Sequence, residues 1–287
     1  AGYGSFTDTS EFAQSITTTA VTSGVLVVDT ASDTSDGDTT SITALLGNKG
    51  ADGFISLREA IAAANNTANI GGIADTINFA ISGTGVHTIS LGSILPTINE
   101  AVVINATTDD SFSTNGNKPA IVLDGANLAG DGLTLSSTAD GSTIRGLVIQ
   151  HFNGDGIQID SGSDGNTIAG NYIGKLTTSG TTGTTGNAAA GINVFGSNNT
   201  IGGVVAADRN VISGNTSDGV TINGGTGNQV TGNYIGTDAS GNLANGNLQN
   251  GVYLFNGATG NSILNNVIAE NTADGFWLSG ESSDGNI

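Results

Sequence analysis

The chain has 287 residues, among them 46 glycines, 2 prolines and no cysteine, and its 25 acidic against 6 basic residues give a formal net charge of −19. That charge argues against nucleic acid and anionic membrane surfaces as partners, and the missing cysteines exclude disulfides and thiolate chemistry. Glycine without a three-residue period is not collagen, and 37% apolar residues are too many for a disordered polar tract.

Residues 1–23 are polar, rich in Thr and Ser, and define no element; the opening Ala1-Gly-Tyr-Gly is no signal peptide. Val25-Leu-Val-Val28 reads as a strand, followed by an acidic loop carrying Asp33, Asp36 and Asp38. Ser56 through Asn65 is the one stretch with helical signals: Ser56 as N-cap, Glu59 three residues on as its capping-box partner, and Leu57, Ile61 and Ala64 on one face. The glycines are expected at corners that need positive φ.

Short apolar runs bounded by Gly, Asn, Asp or Ser follow: Thr76–Ile81, His87–Leu91, Ala101–Ile104, Ile121–Asp124, Leu133–Leu135 and Ile144–Ile149. From Asp131 onward they lock into repeats. Gly165-Asn-Thr-Ile-Ala-Gly-Asn-Tyr-Ile-Gly174 returns 62 positions later as Gly227-Asn-Gln-Val-Thr-Gly-Asn-Tyr-Ile-Gly236, with a looser copy from Gly260. A second frame, Asp155-Gly-Ile-Gln-Ile159, recurs from Ala190, Asp218, Asn250 and Asp274; its glycines, counted from Gly132, lie 24, 35, 28, 32 and 24 residues apart.

Those intervals suit one coil of a parallel β-helix with three short strands per turn, where stacking buries a continuous apolar column. The expected fold is therefore all-β, a right-handed single-stranded parallel β-helix (solenoid) with an N-terminal capping α-helix. Residues 1–74 would hold the first strand, acidic loop and helix, and residues 75–287 the coils as one continuous domain. The long intervals place loops at Lys175–Ala190 and Thr237–Gln249. Asn171, Asn233 and Asn265 are expected to stack as an asparagine ladder, and the aspartates before the repeat glycines to serve their own turns. The final Asp284-Gly-Asn-Ile287 opens another coil, so the chain is expected to be a piece of a longer protein.

Ser56-Leu-Arg-Glu-Ala-Ile61 with Asn65, Asp75-Thr-Ile-Asn-Phe79, Leu95-Pro-Thr-Ile98 and the Gly-Asn-Tyr-Ile-Gly repeats together resemble large bacterial surface proteins. Those proteins carry a Ser-Leu-Arg-Glu-Ala signature and right-handed, pectate-lyase-like β-helix repeats. The resemblance spans about residues 25–287. It implies the fold and an extracellular or cell-surface location; a cysteine common before the signature is here Ile55.

Candidate chemistry is sparse. Arg145, His151 and Asp155, with Lys175 as a further candidate on a neighbouring turn, form the only set from which catalysis could be argued, without the paired aspartates or Gly-His-Gly of polygalacturonase-like sites, so no catalytic residue is assigned. Asn48, Asp52 and Glu59 match part of a calcium loop, with an apolar residue at Ile55 and a helix after it, making Ca2+ the one cofactor to consider. Glu59 is also claimed by the capping box. Tyr172, Tyr234, Tyr253 and Trp277 are candidates for a sugar-stacking strip. An ice-binding threonine row through Thr167 and Thr200 is interrupted at Gln229 and Ser262.

Two functions are carried forward. One is a non-enzymatic surface β-helix (adhesin, stalk or matrix component) whose partner is an extracellular glycan or protein, self-association through the open coil end included. The other is a carbohydrate-active enzyme, lyase or hydrolase, working in the groove. Neither involves nucleic acid or membrane insertion.

Overall fold

The computed structural model describes residues 24–280 and 284–287; the polar segment 1–23 lies outside the described residues. Three sheets wind along one axis, and every pairing between their strands is parallel. The fold is the parallel β-helix that the repeats imply. The first sheet begins with Val25–Val28 and Asp75–Phe79 and continues to Ser262–Leu264. The second runs from His87–Ser90 to Val267–Ile268, and the third from Leu133–Leu135 to Phe276–Leu278.

Register explains the spacing of the repeats. In the third sheet Leu133 pairs with Ile157, Ile157 with Ile192, Ile192 with Val220, Val220 with Val252 and Val252 with Phe276. The intervals are those of the marker glycines, so each repeat is one turn. Alternate strand residues point inward. Leu26, Ile77, Ile104, Ile144, Ile168, Ile201 and Val230 form one wholly buried column. Each such side chain contributes about 1.5–3 kcal/mol relative to exposure.

The repeat glycines hold their place for a reason other than the expected one. Gly132, Gly156, Gly191, Gly219 and Gly251 do not have positive φ. A Cβ on Gly156 would stand 2.7 Å from the carbonyl oxygen of Gly191, and one on Gly219 2.6 Å from that of Gly251. The coils approach too closely there for any side chain. Positive φ does govern Gly170 (67°) and Gly232 (71°), and Asn265 (57°) takes their position in the third copy. The expected run Ile144–Ile149 is likewise two strands: Thr143–Arg145 belongs to the first sheet and Leu147–Gln150 to the second, with Gly146 (φ 81°) turning the corner.

Asparagines, buried except for the half-buried last rung of each, close the corners in three ladders. The first is Asn166, Asn199, Asn228, Asn261 and Asn286. The second is Asn171, Asn210, Asn233 and Asn266, and the third Asn187, Asn215, Asn247 and Asn271. After the first rung of each ladder, every side-chain oxygen accepts both the backbone N–H and the amide of the asparagine one coil earlier, as Asn199 does at 2.8 and 2.9 Å from Asn166. The rung expected at Asn265 is Asn266, because Asn265 occupies the glycine corner beside it.

Helix α1 (Ile42–Gly47) and helix α3 (Asp110–Thr114) join the expected helix, α2 (Leu57–Asn65). Each of the two added helices is under two turns, too short to show a period, and α1 stands on the burial of Ile42 and Leu45. The capping box of α2 is formed, and Leu57, Ala60, Ile61, Ala63 and Ala64 enter the same core as Leu26 and Val28. α2 packs on Val25–Val28 and Asp75–Phe79, at the first rungs of the solenoid.

The signature residues clasp the acidic loop to this end. Arg58 grips Asp33 through two bonds of 3.0 and 2.7 Å and donates to the carbonyls of Ile94 and Ser93. Asp29 pairs with Lys49 at 2.9 Å and accepts the N–H of Ile55. The long loops are hairpins, bridged at Leu176–Thr182 and Thr237–Ala244. They lie over the outer side of the second sheet, where Val122, Val148, Tyr172, Leu176 and Val211 make a second apolar cluster outside the solenoid.

Candidate ligand-binding face

The outward side of the third sheet carries no hairpin of this kind. Its central column, set by register, is Thr134, Gln158, Asn193, Thr221, Tyr253 and Trp277. Two residues further along each coil stand Asp160, Phe195, Asn223 and Phe255. Rungs are about 4.8 Å apart, so the face presents an even grid of polar and aromatic side chains. An open cleft of about 430 Å³ lies on it, lined by Ser136, Ser137, Gln158, Asp160, Ser161 and Phe195. Gln158 Nε2 donates to Asp160 Oδ1 at 2.8 Å, which holds both against the floor of the cleft.

Toward the last coils the face becomes aromatic. Tyr253 stacks on Phe255 with centroids 4.5 Å apart and on Trp277 at 4.6 Å, with interplanar angles of 11° and 10°. Tyr253 Oη shares a hydrogen bond of 3.0 Å with Ser279 Oγ. Trp277 is 45% exposed. The aromatic strip expected from sequence is therefore divided. Tyr253 and Trp277 lie on this face, whereas Tyr172 is buried beneath the hairpins and Tyr234 lies under the Arg209 guanidinium, 4.1 Å from its ring centre. Phe195 and Phe255 fall one residue past the repeated five-residue frame; alternation along the strand is the signal that would have found them.

An aspartate file runs beside the face and ties coil to coil. Asp131 Oδ1 accepts the N–H of Asp155 at 2.7 Å, and Asp155 Oδ1 that of Ala190 at 2.7 Å. Asp218 takes both the backbone and side-chain amides of Asn250. These bonds reach the next coil rather than the residue's own turn, which corrects the expectation of local turn chemistry. Asp155 is 6% exposed, and burial pushes its carboxyl above the usual aspartate value against the opposing bonds from Asn193 and Ala190. Asn193 Nδ2 donates to Asp155 Oδ2 at 2.9 Å, and its Oδ1 is buried without a partner among the described residues.

Arg145, His151 and Asp155, the three candidates for catalysis, do not meet. Arg145 ends a first-sheet strand and reaches Asp208 at 3.5 Å. His151 (φ 66°) sits at the corner after the second sheet, its Nδ1 3.0 Å from Asp124 Oδ1. Asp155 belongs to the aspartate file. The calcium-loop residues are also apart in their bonding. Glu59 Oε1 accepts the N–H groups of Asp36 and Gly37 at 2.8 and 2.7 Å, and Oε2 the N–H and hydroxyl of Ser56 at 3.0 and 3.1 Å. Asn48 and Asp52 are exposed and accept from Gly50 and Phe54. Among the described residues no group of three or more His, Asp or Glu is placed to hold a metal ion.

Comparison of the chain with protein-family models, with curated proteins and with solved structures returns no match.

Proposed function

We propose that this protein is a non-enzymatic β-helix of the extracellular or bacterial cell-surface kind, an adhesin, stalk or matrix component, that binds a neutral glycan along the third sheet. The observation that carries the reading is the continuous outward grid from the Phe195 cleft to the Phe255–Tyr253–Trp277 stack. Aromatic surface packs on the apolar faces of sugar rings, and the side-chain oxygen of Gln158 with the exposed hydroxyls of Ser137 and Ser161 suits ring hydroxyls. The columns of this face carry Asp160 and no Lys or Arg, with the aspartate file beside them, so an uncharged chain is favoured over a polyanion. The surface location rests on the resemblance of the Ser-Leu-Arg-Glu-Ala segment and the repeats. The dispersal of Arg145, His151 and Asp155 over separate sides of the coil lends nothing to the enzyme reading.

Affinity electrophoresis through gels containing neutral polysaccharides is the test. Retardation by at least one of them, lost in Phe195→Ala and Tyr253→Ala while circular dichroism is unchanged, is the expected result. Free mobility in every gel would sink the glycan reading. Release of reducing ends that disappears in Arg145→Ala would favour the enzyme instead.

A further inference from the structure

Five of the six cations are engaged. Lys49 pairs with Asp29, Arg58 with Asp33 and Arg145 with Asp208. Lys118 Nζ donates to the Ser179 carbonyl at 3.1 Å, and Arg209 Nε to that of Gly232 at 3.1 Å. Lys175 differs: among the described residues its ammonium has no hydrogen bond or ion pair. Its backbone, by contrast, is held at three points. Its N–H donates to Ser213 O at 2.8 Å, and its carbonyl accepts Gly183 N and Asn245 Nδ2, each at 2.9 Å. A fixed stem thus presents a free positive head.

Lys175 lines a cleft of about 620 Å³ between the two hairpins. Its walls bring together Lys175, Thr182, Thr184, Thr185, Thr216 and Asn245, and the lining includes no Asp or Glu. In a chain of net charge −19 this is a local reversal of sign. A single ammonium suits one negative charge, and the long-range field of the molecule disfavours a ligand with several. The threonine hydroxyls both donate and accept, so they suit a ligand rich in hydroxyls.

We propose that the cleft between the hairpins is a binding site for a small hydroxylated monocarboxylate of the sugar-acid class, its carboxylate on Lys175 and its hydroxyls on the threonine wall. The site is separate from the third-sheet face and stands whether or not that face binds glycan.

Isothermal titration of the whole chain with D-glucuronate tests it, with D-glucose and inorganic sulfate as controls. Glucuronate binds and glucose does not; Lys175→Gln weakens glucuronate at least about tenfold, the scale of one charge-assisted contact. Lys175→Arg restores most of the affinity, and added salt weakens the wild type. Phe195→Ala leaves the titration unchanged, which separates this site from the glycan face. The proposal is overturned if glucuronate gives no heat of binding, if sulfate or glucose binds equally well, or if Lys175→Gln binds as the wild type does.

Discussion

Asn199 donates its side-chain amide to Asn228 Oδ1 at 3.1 Å, and both side chains are wholly buried. Asn199 Oδ1 also takes the backbone N–H and the amide of Asn166. Asn199→Ala therefore strands two buried donors on the coil before it. At about 1–3 kcal/mol for each unsatisfied group, a loss of roughly 3 kcal/mol is expected in urea unfolding. Thr200→Ala, next in the chain but outward on the first sheet, is expected to stay within about 0.5 kcal/mol. Equal midpoints for the two variants would mean that the ladder contributes nothing special.

Arg58 joins the acidic loop, α2 and the first coils. A lysine cannot reproduce its paired bonds to Asp33 while still reaching the carbonyls of Ser93 and Ile94. Arg58→Lys is expected to cost about 1.5–3 kcal/mol, as hydrogen bonds to charged groups do, and to open the loop near Asp33 to limited proteolysis. A lysine variant as stable and as resistant as the wild type would reduce Arg58 to a surface ion pair.

Glu59 has four donors on its two oxygens and no lone pair turned toward Asn48 or Asp52. The melting temperature is accordingly expected to be the same in excess EDTA and in millimolar calcium. Glu59→Gln replaces one acceptor oxygen with a donor amide facing N–H groups, and is expected to destabilise by about 1–3 kcal/mol. A calcium-dependent rise in melting temperature, absent in Glu59→Gln, would restore a metal to this loop.

Asp155 has a folded-state pKa above its unfolded value, chiefly because it is buried. The folded state then holds the proton over a range where the unfolded state has lost it. Stability from this group is complete below the unfolded value and falls as pH rises through the raised folded value. An asparagine there, as at Asn250 in an equivalent coil, would pair its amide with the unpartnered oxygen of Asn193 once the Asn193 amide, whose nitrogen now faces Asp155, turns over. Asp155→Asn is expected to match or exceed the wild type at neutral pH and to lose that advantage in acid. A difference independent of pH would show that Asp155 titrates alike folded and unfolded.

Much of the architecture was legible because a coil is short and its rules are local. The intervals between Gly132, Gly156 and Gly191 follow from a stacked backbone that admits no Cβ, so sequence spacing and register are one quantity. The placing of side groups around the coil was harder. Ile144 to Ile149 reads as one strand, and only the positive φ at Gly146 shows that its halves face different ways. The likeness of Tyr172, Tyr234, Tyr253 and Trp277 is one of residue type; they stand on two sheets because the first two belong to the Gly-Asn-Tyr-Ile-Gly frame and the last two to the frame after the marker glycines. Sequence places Lys175 only beside Arg145, His151 and Asp155; what sets it apart, the engagement of the five other cations, is a property of the folded coils.

The 62-residue offset between the two Gly-Asn-Tyr-Ile-Gly frames is also a mechanical interval. Removing residues 171–232 would join Gly170 to Asn233 and leave the same motif, the same glycine corner and a hairpin of the same kind in place. The asparagine rungs would re-form, with Asn233 taking the Leu147 N–H that Asn171 now accepts. The length of such a rod can therefore change by whole coil pairs, with the folding problem left nearly as it was.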